Sequence, residues 1–231
     1  MERDLQVKLI NYLKNFITDG RWETINAVLN QRTDYLTVVL EDIYQPHNAS
    51  AVLRSCDGFG IQNVHVIEKQ CEFDASSQVT LGADQWLDII KYNAPDVDNT
   101  ISCIEALKQK GYRIIATTPH EKESDINDLD LSQPIALIFG NELNGFSESV
   151  FKHADGFVKI PMHGFSESFN ISVSAAICLY DITTRLRNPD LNIDWELSTE
   201  QKDTLMLQWL ISSIKAGEQL VEKYLREEGN S

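Results

Sequence analysis

Apolar runs and helical periodicities alternate along this chain. YLTVVL (35–40), VHVI (64–67), YRIIATT (112–118), IALIFG (135–140) and FVKI (157–160) are dense in β-branched and aliphatic residues, which predicts strands. WLDIIKY (86–92) fits a further strand, and Pro95 breaks the pattern after it. Leu5, Leu9, Tyr12, Leu13 and Phe16 recur at helical spacing up to Gly20, and Trp22, Ile25 and Leu29 mark a second short helix. Pro46 and Asn48 open a helix that ends near Gly58 and Gly60. Residues 97–110 form another, with Gly111 just past its end. Val173, Ala176, Ile177, Tyr180 and Thr184 share a face of a helix over 172–187, stopped by Asn188 and Pro189. Ser198 and Gln201 make a capping-box pattern, opening one terminal helix that carries Leu207, Leu210, Ile211, Ile214, Val221 and Leu225. The polar stretch 70–84 reads as a loop.

Strands alternating with helices over 35–187 predict an α/β fold with a largely parallel sheet flanked by helices. The uninterrupted apolar run IALIFG belongs at the centre of such a sheet. The expected organisation is an N-terminal helical extension (1–33), an α/β core (34–188) and a C-terminal helical extension (189–231). About 34 residues precede the first strand, too few for an independent domain.

Composition narrows the class. Apolar residues make up 42% of 231, enough for a full core. No stretch reaches the roughly 18 uninterrupted apolar residues of a membrane helix. The N-terminus, MERDLQVKLI, is charged from its second residue and has no signal-peptide core, so a soluble cytoplasmic protein is expected. Cys56, Cys71, Cys103 and Cys178 form no CxxC pair and have no histidine at zinc-ligand spacing, so free buried thiols and no metal are expected. The net charge of −15 opposes a nucleic-acid partner unless positive charge is local. Residues 1–32 carry five basic and four acidic side chains, making this arm the best candidate for an RNA-facing surface.

Three segments carry chemistry. In PHNASAVLRSCDGFG (46–60), Ser50 and Arg54 stand one helical turn apart, and an arginine fork beside small residues suits a phosphate or a ribose oxygen. In LIFGNELNGFSES (137–149), a strand enters a loop whose Gly140 and Gly145 permit tight turns and close ligand approach. In KIPMHGFSESFNISVSAAIC (159–178), Ser166, Ser168 and Asn170 supply uncharged hydrogen-bonding groups, and Asn170 or Ser172 also suits a helix cap. The first two patterns are weak singly; the third is long and specific.

Together and in this order, NASAVLR, LIFGNELNGFS and the IPM-to-SVS segment resemble the TrmH branch of the SPOUT RNA methyltransferases, over about residues 20–225. The resemblance departs from the family pattern at Phe169, where leucine is usual, and in the polar HGFSE. It implies a deep trefoil knot, a homodimer, and transfer of a methyl group from S-adenosylmethionine to a ribose 2′-hydroxyl of tRNA, at guanosine 18 of the D-loop. It implies Arg54 as the catalytic residue, with Asn48, Glu142, Ser168 and Asn170 around it. Thr117, Gly140, Ile160 and Phe169 would hold the cofactor, largely through backbone groups. Arg21, Arg32 and Arg54 would contact RNA. Arg54 as a base is awkward because arginine stays protonated. Two alternatives stand beside it: a charged Arg54 stabilising the developing oxyanion, and Glu142 accepting the proton. An rRNA 2′-O-methyltransferase, a non-catalytic RNA-binding protein of the same fold, and an α/β protein binding another nucleotide remain alternatives.

Overall fold

The computed structural model describes residues 3–70, 73, 80–119, 124–141 and 144–228; Cys71, most of the polar 70–84 stretch, and Glu142 lie outside them. In chain order the elements are α1 (Arg3–Lys14), α2 (Asp19–Leu29), β1 (Leu36–Glu41), α3 (Pro46–Phe59), β2 (Asn63–Ile67), β3 (Asp88–Tyr92), α4 (Asn99–Gln109), β4 (Arg113–Thr117), β5 (Ser124–Asp125), β6 (Ile135–Phe139), α5 (Glu148–His153), β7 (Gly156–Lys159), α6 (Ile171–Leu186), α7 (Thr199–Ser213) and α8 (Gly217–Glu228). They fall into two compact units: Thr33–Trp195, and Met1–Arg32 together with Glu196–Ser231.

In the larger unit the described strands form one seven-stranded sheet in the order β3-β2-β1-β6-β4-β7-β5, every pair parallel. β1 and β6 are buried along their whole lengths, which is why their sequences are continuous rather than alternating apolar runs. α3 and α6 cover one face with Val52, Leu53, Cys56, Leu179 and Ile182 against Val38, Leu40, Leu137 and Phe139. α4 covers the other with Cys103, Ile104 and Leu107 against Val39, Ile114 and Ile138. From β1 the chain steps outward through β2 and β3, then returns across the sheet to β4, β6 and β7. Such a reversal leaves a crevice at the carboxyl ends of the strands.

In the smaller unit, Leu9 and Leu13 of α1, Ile25 and Leu29 of α2, and Leu205, Trp209 and Leu210 of α7 are buried. Gln6 donates to the Thr204 hydroxyl at 3.1 Å, and Arg3 pairs with Asp203 at 3.3 Å. The capping box at Ser198 and Gln201 is present. The single expected terminal helix is instead two. Ile214 leaves helical geometry at φ −105° and ψ 123°, and α8 restarts at Gly217. A Cβ on Gly217 would collide with the Ile211 carbonyl, so only glycine lets the chain turn back there. No helix among the described residues is long and apolar enough to cross a membrane.

One buried histidine gives the larger unit a pH signature. His65 on β2 lies 3% exposed with Nδ1 3.1 Å from the Tyr92 hydroxyl of β3. Burial first, and the charge of Lys110 second, lower its pKa from 6.5 to about 4. Below pH 6.5 the unfolded chain therefore takes up a proton that the folded chain refuses until about pH 4. Stability is retained above this window and falls within it by roughly 1.4 kcal/mol per pH unit from this group. Urea titrations across pH 4–6.5 are expected to show a shallower loss in His65→Gln than in wild type.

Candidate active site

Loops from the carboxyl ends of β1, β4, β6 and β7, four adjacent strands, converge on one cavity of about 570 Å³. Volumes of several hundred Å³ suit a nucleoside-sized ligand. Thr117 closes β4, its hydroxyl donating to the Ile138 carbonyl at 3.1 Å. Gly140 follows β6, Ile160 follows β7, and Phe169 lies just ahead of α6. All four expected cofactor residues line the cavity, as do Asn48, Ser168 and Asn170 of the expected catalytic set. Glu142 lies outside the described residues.

An amide relay joins the first motif to the third across 122 positions. Asn170 Nδ2 donates to Asn48 Oδ1 at 3.2 Å, and Asn48 Nδ2 donates to Gln45 Oε1 at 3.2 Å. Asn170 Oδ1 accepts from the Ser172 amide at 2.9 Å and caps α6. Capping and site-building are thus one act: the amide whose oxygen starts α6 has its nitrogen fixed on Asn48. Asn48 is buried, 6% exposed, in the first turn of α3, where Pro46 occupies the first helical position.

Arg54 sits two turns further along α3, is exposed, and makes no side-chain hydrogen bond or ion pair with any described residue. It does not line the cavity. Ser50, expected on its face, is instead fully buried, its hydroxyl donating to the Pro46 carbonyl at 2.8 Å. The roughly 40° between positions one turn apart is enough to straddle the edge of the buried stripe. Of the expected RNA contacts, Arg21 is part-exposed on α2, with its guanidinium 3.4 Å from the Ser213 hydroxyl. Arg32 corrects the expectation: it is fully buried, its guanidinium 5.3 Å from the Trp209 ring centre. A buried guanidinium presents no fork to a phosphate at the surface; its stem and plane pack against the indole instead.

The cavity walls are almost neutral; Glu167 is the sole charged residue among the described lining residues. Cys178 contributes a thiol that burial, and then the charge of Asp181, push up to about 12, so it stays protonated and inert. Gln45 and Asn141 line the cavity as well, outside the set of site residues expected from the sequence. Their signal was a polar residue directly after an apolar strand or ahead of a helix-opening proline, which is common in loops.

The profile of the SpoU rRNA Methylase family matches residues 35–180, the whole of the sheet and the three motifs. This chain belongs to the SpoU methylase family. The tRNA (guanosine(18)-2'-O)-methyltransferase of Borreliella burgdorferi is 42% identical over 209 residues, 90% of this chain and 93% of that protein. The enzyme of the same name from Thermus thermophilus is 32% identical over 193 residues, 84% of this SpoU chain and 97% of its own. The crystal structure of the A. aeolicus TrmH/SpoU tRNA modifying enzyme superposes with a TM-score of 0.74 at 27% identity, covering 85% of this chain and 98% of that one. The SpoU methyltransferase AviRb of Streptomyces viridochromogenes, solved with its cofactor AdoMet, superposes with a TM-score of 0.57 at 26% identity, over 67% of this chain and 61% of that one.

Proposed function

We propose that this SpoU protein methylates the ribose 2′-hydroxyl of guanosine 18 in tRNA. The observation that carries the reading is the Asn48–Asn170 contact beside a nearly neutral cavity at the sheet's carboxyl edge, in a chain whose near-full-length relatives bear that activity in their names. S-adenosylmethionine would supply an activated methyl on its sulfonium. Thr117, Gly140, Ile160 and Phe169 would hold it. Backbone groups and uncharged side chains can bond an adenine edge or a ribose without opposing the cation. Glu167 adds one negative charge at the wall, of the sign that a sulfonium or ammonium prefers.

Positioning supplies much of the rate in such a displacement. Asn48 and Asn170, each locked by the other, fix the cavity rim where the sugar enters. Arg54 stays charged, binds the phosphate next to the target ribose and stabilises negative charge developing on the 2′-oxygen. Glu142 is the candidate proton acceptor. Arg21 on α2 and Arg54 on α3 are each candidates for contact with RNA phosphates. The reading extends to the knotted threading and the pairing of two copies that the family resemblance implies, and to action in the cytoplasm.

Methyl transfer from labelled S-adenosylmethionine to an unmodified tRNA transcript tests it. Label is expected in that transcript, and none in one carrying adenosine at position 18. Incorporation into an rRNA fragment and not into tRNA would redirect the reading to the rRNA branch. No incorporation into either, with cofactor binding intact, would leave the non-catalytic alternative.

A further inference from the structure

The loop between β6 and α5 lines the cavity with Gly140, Asn141, Gly145 and Phe146, and both of its ends are fastened to one dipeptide, Glu41–Asp42, at the carboxyl end of β1. Asn141 Nδ2 donates to the Asp42 carbonyl at 2.6 Å. At the far end, the Ser147 hydroxyl donates to Glu41 Oε1 at 2.6 Å and the Ser147 amide donates to Oε2 at 3.0 Å. Ser147 stands at the N-cap position of α5, yet its hydroxyl makes no cap bond; it is committed to Glu41. Glu41 is 2% exposed and also accepts from the Thr100 hydroxyl at 2.6 Å and from Lys69 Nζ at 2.9 Å.

A carboxylate this buried is costly unless its lone pairs are filled. Here four donors from three separate segments fill them, and both donors of Ser147 come from the cavity loop. We propose that Glu41 is a positioning residue for the cofactor: it presets the loop after β6 in its ligand-holding shape, acting through Ser147. Glu41 itself does not line the cavity. The inference rests on the methyltransferase reading above and names a residue outside its motifs.

Glu41→Gln turns one carboxylate oxygen into a donor. In either orientation of the amide that donor faces a group that can only donate, the Ser147 N–H on one side or the Lys69 ammonium on the other. The dissociation constant for S-adenosylmethionine, measured by calorimetry on the full-length protein, is expected to rise about tenfold or more. Ser147→Ala, which keeps the amide bond, is expected to raise it about threefold. The double variant is expected to bind no more weakly than Glu41→Gln, because both changes remove the same link. At saturating cofactor, kcat of Glu41→Gln is expected within about twofold of wild type, since ligand then orders the loop. Leu107→Ala, a core truncation on α4, serves as the stability control: its Tm falls while its dissociation constant stays within about twofold. Wild-type affinity in both Glu41→Gln and Ser147→Ala, with only Tm lowered, would reduce Glu41 to a structural role and overturn the inference. Failure of the wild-type protein to bind would instead sink the methyltransferase reading and take this inference with it.

Discussion

Arg54→Ala is expected to lower kcat for tRNA methylation by about 10²–10³-fold, the size of effect seen when one group stabilising a developing oxyanion is removed. The same variant is expected to bind S-adenosylmethionine with unchanged affinity, because Arg54 lies outside the cavity lining. Its stability is expected to shift by no more than about 0.5 kcal/mol, because the side chain is exposed and has no hydrogen-bond or ion-pair partner among the described residues. These three readouts separate the roles open to this residue. Loss of turnover alone fits a cation acting on the reacting sugar or its phosphate. Weakened cofactor binding would move Arg54 into the cofactor site. Full methyl transfer would remove it from the mechanism. Single-turnover assays with saturating tRNA distinguish loss of chemistry from loss of RNA affinity, which would appear in KM for tRNA instead.

The strands of the central sheet were legible because a buried parallel strand needs apolar side chains on both faces; β1 and β6 fall within a residue or two of their sequence runs. β5 was not, since Ser124 and Asp125 join the sheet edge only through pairing with β7 inside an otherwise acidic stretch. The break between α7 and α8 was hidden because Ile211 and Ile214 keep helical spacing while the backbone departs from it. In the site, Asn48 and Asn170 stood out as polar residues flanking helix starts, and they do meet. Glu41 gave no signal: a glutamate at a strand end reads as a solvated charge. What buries it are Lys69, Thr100 and Ser147, brought together by the return crossing of the sheet from positions up to 106 residues away. Arg32 misled in the opposite sense, because burial of a charged side chain depends on a tryptophan far along the chain.

Gly140→Ala is expected to weaken S-adenosylmethionine binding by about 100-fold or more, the penalty expected when about 3 kcal/mol of overpacking falls on a binding loop. The constraint is space. A Cβ at Gly140 would lie 2.7 Å from Phe146 Cδ1 and 2.9 Å from both the carbonyl carbon and the oxygen of Gly145. The ring of Phe146 can rotate away, but the Gly145 carbonyl cannot. It accepts from the Asn141 amide at 3.0 Å while the Gly145 amide donates back to Asn141 at 2.9 Å, so moving it opens the tight turn that shapes the cavity wall. Gly145→Ala provides the contrast. Gly145 has φ +67° with nothing within 4 Å of the added carbon, so its cost is backbone strain of about 1–2 kcal/mol and roughly a tenfold loss of affinity. Calorimetry on the two variants is therefore expected to rank Gly140→Ala well below Gly145→Ala, with melting temperatures closer together than affinities. The reverse order would mean that the left-handed turn, and not close packing against the Gly145 carbonyl, sets the shape of the loop; wild-type affinity in Gly140→Ala would mean that the ligand does not use this wall.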